Sequence, residues 1–308
     1  GFLDPKWILL AWLGGGLFVA IDAMPTVELG AAIPRSGGPY SLAVRALGPR
    51  AGFFVGWADW LQLVFSTGFI AVAFGEQVQR LGLLPGLTTG EIAVLLVLGC
   101  GAINWIGARV GGASQSIGSA LKALGLLVLV AVLFLAHGTT TIVAAPPPPA
   151  FSWVAAAIAL RAIYGAYGGW EAAVYFSEEL HEPERNVARA TFGGIALVTV
   201  IYTLINAAVL YVLPMGVLTR STLAVSDAMA AVLGPGSGVV VTLVAMWCVA
   251  TIANLQVMEH VRNTYAMARE GRLPAALATV SKSGTPRAAL LVVVVATSDR
   301  PAPLRVRA

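Results

Sequence analysis

Tyr164-Gly165-Ala166-Tyr167-Gly168-Gly169-Trp170-Glu171 is the stretch on which the fold turns. It lies in the middle of an otherwise apolar run, about 153–176. Three glycines within five residues weaken a helix, each costing ~1 kcal/mol relative to alanine in water. In lipid, a helix break frees backbone N–H and C=O groups that need a ligand, water or protein partner. Two readings follow. Half-helices of this kind hold a substrate on their dipolar ends in secondary transporters; small residues also allow simple close packing of helices. Glu171 comes directly after the break. A carboxylate at this depth must be protonated, paired or facing water. Its functional reading is a proton-linked switch. The plainer reading pairs it with Arg161, but ten residues along a helix is ~15 Å, too far for direct contact.

Working outward, the same apolar pattern repeats. A spanning helix needs roughly 20 mainly apolar residues. Seven segments qualify, at about 7–29, 52–79, 91–108, 113–136, 153–176, 191–213 and 238–260. A partial span covers 288–296. Only 11% of the 308 residues are charged and 58% are apolar, against about 25% charged in soluble domains. The fold class is therefore an all-α polytopic membrane helix bundle. It is expected to be a single transmembrane domain over residues 1–297, with a non-helical tail over 298–308. Pro146–Pro149 suggest a stiff polyproline loop.

Arginine and lysine placement predicts the sidedness. Arg35, Arg45 and Arg50 lie in the 30–51 loop, and Arg185 and Arg189 in the 177–190 loop. Arg262, Arg269, Arg272, Lys282 and Arg287 follow the seventh span. The opposite loops offer only Arg80 and Arg220. The basic loops, 30–51, 177–190 and 261–287, are read as cytoplasmic, which puts residue 1 outside. The sequence pI near 9.3 does not indicate nucleic acid, because the basic residues form no face. Cys100 and Cys248 lie inside apolar spans and read as packing thiols. There is no phosphate-cradling loop, no nucleophile motif and no metal-ligand spacing, so neither an enzyme, a cofactor nor a metal is expected. Asp22, Asp59 and Glu259 are further acids near membrane depth. Asp22 precedes Pro25, where proline is expected to disturb the helix, and no role is assigned to it. Glu259, with His260 and Arg262 nearby, suggests an interfacial salt bridge. Lys122, inside the fourth span, has two readings: a lysine that snorkels to the interface, or a buried amine that titrates or replaces a cation.

Three stretches together resemble the amino acid–polyamine–organocation family of permeases. The first runs Glu28-Leu29-Gly30-Ala31-Ala32-Ile33-Pro34-Arg35-Ser36-Gly37-Gly38-Pro39-Tyr40, then Gly48-Pro49 and Gly52-Phe53-Phe54-Val55-Gly56-Trp57. The second joins Gly168-Gly169-Trp170-Glu171 to Phe176-Ser177-Glu178-Glu179 and Pro183-Glu184-Arg185-Asn186. The third is Arg262 followed by Tyr265-Ala266-Met267-Ala268-Arg269-Glu270-Gly271-Arg272-Leu273-Pro274. The resemblance covers nearly the whole chain to about residue 295.

The resemblance implies a partial LeuT-type inverted-repeat transporter fold. The seven spans correspond to family helices 2 to 8 and the run 288–296 to the start of helix 9, so the chain reads as a fragment without helix 1 and the C-terminal helices. As given, it is expected not to transport. The full-length parent is expected to be a secondary transporter of amino acids in the plasma membrane, working by proton-coupled symport or exchange. The expected partners are the amino acid, protons and the bilayer; oligomeric state is open. The implied substrate-binding positions are Tyr164, Ala166, Tyr167, Gly168 and Gly169 at the break, with Thr67 and Gln256 from other spans. Gly165 stands where the family carries its gating aromatic. Lys122 resembles the lysine that stands in for sodium in sodium-independent members, and with Glu171 it is assigned to coupling. The alternative is a seven-helix receptor or sensor, which has no need for a glycine-broken helix.

Overall fold

The structure is a computed structural model and describes residues 5–136, 152–221 and 223–299. The polyproline segment and residues 300–308 of the tail lie outside the described residues. In chain order the helices are α1 (Pro5–Ala32), α2 (Pro39–Leu47), α3 (Pro49–Arg80), α4 (Thr89–Ile106), α5 (Ala108–Leu135), α6 (Trp153–Ala166), α7 (Ala172–Tyr175), α8 (Pro183–Val212), α9 (Met215–Leu218), α10 (Ala224–Leu233), α11 (Gly238–Arg269) and α12 (Arg287–Ser298). The described residues contain no strand. Among the described residues, six helices are long and apolar enough to cross a membrane. The all-α polytopic architecture expected from composition is the one observed.

Local chemistry accounts for several boundaries. Thr88 and Glu91 form a reciprocal capping box at the start of α4, with Glu91 accepting from the Thr88 N–H at 2.7 Å. Gly48 has φ +88°, a left-handed conformation, so the chain turns sharply between α2 and α3 without steric cost. Gly107 alone separates α4 from α5. Pro25 sits inside α1 without ending it. In a membrane helix, neighbouring groups can take over the bond that proline removes.

Contact density divides the chain into two compact units. The first comprises residues 1–28, 121–171 and 188–244. Its core joins Leu129 and Leu133 of α5 to Val209 and Val212 of α8 and Met229 of α10. Small residues set its close approaches: a Cβ on Gly15 of α1 would meet the Ile163 side chain, and one on Gly16 that of Thr199.

The second unit comprises residues 29–120, 172–187 and 245–308. Its main core packs Val97 and Cys100 of α4, Val257 and Val261 of α11 and Leu290 and Val293 of α12. Helix α3 has two unlike faces. Gly52, Gly56, Leu63, Thr67, Ala71, Gly75 and Val78 are buried at three- and four-residue spacing. Phe54, Trp57, Leu61, Phe65 and Phe69 are exposed at the same spacing. A helix that is apolar on its open side and small on its packed side suits a lipid surround.

Candidate functional site

The apolar run around residues 164–171 is interrupted. α6 ends at Ala166, turns occupy 167–171, and α7 begins at Ala172. Glycine explains the geometry: Gly169 adopts φ +98°, and nothing crowds it within 4 Å. The last turn of α6 tightens, the Tyr167 N–H reaching the Tyr164 carbonyl at 3.1 Å and the Gly168 N–H the Gly165 carbonyl at 3.2 Å. Beyond it, the Gly169 N–H donates to the Glu171 carboxylate at 3.1 Å. The boundary between the two compact units falls between Glu171 and Ala172, at the end of this break.

The first unit surrounds the break with aromatic side chains. The Tyr202 hydroxyl of α8 donates to the Ala166 carbonyl at 3.0 Å, satisfying a group that the helix end would otherwise leave without a partner. The Tyr167 hydroxyl donates to the Trp12 carbonyl at 2.8 Å. The rings of Trp12, Tyr167 and Tyr202 form a cluster with centroids 5.3–6.1 Å apart. Tyr164 donates to the Asp22 carboxylate at 2.9 Å and packs edge-on to Phe18. Tyr164 is 42% exposed and Tyr167 only 4%. Tyr164, Gly165, Ala166, Gly168 and Gly169 are thus exposed at the break, whereas Tyr167 is buried.

The remaining sequence-assigned residues are placed as follows. Thr67 and Gln256 meet in the second unit: the Thr67 hydroxyl donates to the Gln256 side-chain oxygen at 3.1 Å, and Gln256 donates in turn to Ser66 at 2.7 Å. Lys122 is half-buried in α5. It lies one turn after Gly118 and one turn before Gly125, on the same helix face. That face meets α11, because a Cβ on Gly118 would touch Thr251 at 2.5 Å and one on Gly125 would touch Val244 at 3.5 Å. The Trp247 indole N–H donates to the Gly118 carbonyl at 3.0 Å.

The second unit also clasps α7 and the residues after it. The Tyr175 hydroxyl donates to Asp59 at 2.7 Å, and Asn263 donates to the other oxygen of the same carboxylate at 2.6 Å. Glu178 accepts from Arg269 at 2.7 Å and from the Ser36 N–H at 2.8 Å. The Arg269 guanidinium and the Ser36 N–H hold the Glu178 carboxyl below the usual carboxylate range, against the opposing effect of burial. Glu179 forms a two-point pair with Arg262 at 2.6 and 2.8 Å, a geometry in which both N–H bonds are charge-assisted. Arg262 is a buried side chain with its guanidinium 4.2 Å from the Phe176 ring centroid. The ion pair formed by Arg262 thus runs to Glu179, and Glu259 is buried.

Sequence reasoning assigned no role to Asp22 and did not single out Trp12, Tyr202, Tyr175 or Asn263. Asp22 carried a usable signal, an ionisable residue at membrane depth. The tyrosines and Asn263 carried none, because aromatic and amide side chains in apolar spans are read first as packing.

A polytopic helical membrane protein with one helix broken at mid-span is the class these features define. The chain belongs to the amino acid permease family, which it matches over residues 3–298. This is the family expected from the three signature stretches. The chain is 29% identical over 279 aligned positions to the serine/threonine exchanger SteT of Bacillus subtilis (strain 168), covering 88% of this chain and 62% of that protein. It is 30% identical over 323 positions to Asc-type amino acid transporter 1 of Mus musculus, covering 96% and 60%. To large neutral amino acids transporter small subunit 2 of Oryctolagus cuniculus it is 32% identical over 328 positions, covering 96% and 59%. The chain spans about three fifths of the length of the curated relatives it matches.

Proposed function

We propose that the protein moves amino acids across the plasma membrane as a secondary transporter, by proton-coupled symport or by exchange. The observation that carries this reading is the break at 167–171, where exposed backbone and the Tyr164 ring lie open at bilayer depth. Family membership and relatives named for exchange of serine and threonine and transport of large neutral amino acids support it. Neutral amino acids are accordingly the first substrates to try. Main-chain groups at the break recognise the backbone part of the substrate, with Ala166, Gly168 and Gly169 contributing main chain and Tyr164 a ring. Tyr167, Thr67 and Gln256 are the further proposed substrate-binding positions. The test is uptake of a labelled amino-acid panel by proteoliposomes holding the intact gene product. Saturable uptake, competed by unlabelled substrate and lost in Gly169→Val, is expected. Normal uptake by Gly169→Val would overturn the site assignment, and an absence of uptake of any amino acid would overturn the transport reading.

Lys122 and Glu171 are the proposed coupling groups. Support for Lys122 is its place on the glycine-lined face of α5 beside α11. Lys122→Ala is expected to abolish the pH dependence of uptake while leaving pH-independent exchange measurable. Unchanged pH-dependent uptake by that variant would remove Lys122 from the mechanism. The loops 30–51, 177–190 and 261–287 are proposed to be cytoplasmic, on the strength of their arginine and lysine excess.

A further inference from the structure

A cavity of ≈ 810 Å³ opens in the second unit. Its walls come from the end of α4, the start of α5, the 178–179 turn, α11 and the loop leading into α12. Five charged residues line it: Arg109, Glu178, Glu179, Arg262 and Lys282.

The charges do not balance. Both acids are already matched, Glu178 by Arg269 and Glu179 by Arg262. Arg109 and Lys282 form no ion pair with any of the described residues. Two basic side chains are left facing the same space, and Ser283 stands beside Lys282 in the wall. A cation entering the cavity would have to break an existing pair to find a carboxylate. An anion meets two uncommitted donors and breaks nothing.

We propose that this cavity binds a phosphate-bearing anion, held by Arg109 and Lys282 with the Ser283 hydroxyl. A multi-oxygen anion can accept from a guanidinium and an ammonium at once. Because the cavity lies where α4 ends and α5 and α12 begin, the phosphate can arrive on a lipid headgroup or free in solution. The proposal is independent of the transport reading, since binding here is read without any substrate moving.

The experiment uses the chain in nanodiscs of phosphatidylcholine. Inorganic phosphate is titrated in one arm, and phosphatidylglycerol is built into the discs in the other. Melting temperature is followed in both, since a ligand that binds only the folded state raises it. Sodium chloride at matched ionic strength is the blank. A rise with phosphate identifies a free anion; a rise with phosphatidylglycerol alone identifies a lipid headgroup. In either case Arg109→Gln with Lys282→Gln is expected to weaken binding about tenfold, whereas Arg45→Gln, a charge loss outside the cavity, leaves it unchanged. If the double variant does not fold, Lys282→Ala and Lys282→Arg decide: the first weakens binding and the second keeps it. No response to either probe, an equal response to sodium chloride, or full binding by the cation-free variants overturns the proposal.

Discussion

Tyr202 shows how one hydroxyl can make a broken helix tolerable. Its O–H caps the Ala166 carbonyl, and removing that donor leaves a polar group at membrane depth without its partner, at a cost of ~1–3 kcal/mol. Tyr202→Phe should therefore lower the melting temperature by about 2–6 °C, and a thermal melt in detergent reads this directly. The pair of Glu178 and Arg269 gives a second test, in pH. The folded-state pKa of Glu178 lies below its ordinary value because of Arg269 and the Ser36 N–H. Its contribution to stability is therefore fully present above the ordinary carboxylate range and disappears as pH falls through the lowered folded-state value. Melting temperature measured from neutral pH downward should fall in acid for the parent chain, and Glu178→Gln should flatten the part of that fall due to this pair. An identical acid profile in the variant would mean that the clasp contributes nothing.

At the scale of elements, α2 and α3 illustrate what a glycine is there to do. Gly56 faces the Tyr40 ring, and an added Cβ would come within 2.5 Å of it. Gly14 of α1 has nothing within 4 Å. Gly56→Ala should destabilise the protein by an amount typical of overpacking, about 1–3 kcal/mol, while Gly14→Ala should be neutral or slightly stabilising; comparing the two melting temperatures checks both. The same contrast explains what the sequence reveals. The all-α polytopic character, the break at 167–171 and the family are legible because they are written in runs, in hydropathy and in motifs. The helix α2 inside the basic 30–51 loop is not, since nine residues give too short a periodic signal beside a stretch of glycine and proline. Likewise α10 lies in a stretch too short to span and carries no signature. The clasp of Tyr175, Asp59 and Asn263 joins positions up to 204 apart in the chain. One sequence contains the three residues but not their convergence.

For the whole molecule, sidedness is the property that most constrains everything else. In a background lacking Cys100 and Cys248, Arg45→Cys and Lys282→Cys should react with a membrane-impermeant maleimide only after right-side-out vesicles are opened, and Pro85→Cys should react before. Labelling in the reverse order would invert the proposed orientation. The turn at Gly37-Gly38 carries a consequence of another kind. Both residues have left-handed φ, +113° and +56°. A Cβ on Gly37 would come within 2.5 Å of Ala266, and one on Gly38 would come equally close to the Tyr175 ring. Backbone strain and collision exclude the same substitutions twice over, and no compensating change at one neighbour relieves both. In a library carrying every single amino-acid replacement, these two codons should therefore survive selection for folded protein only as glycine, even where the flanking Ser36 tolerates exchange. Genetic drift through this loop is closed at its two central letters.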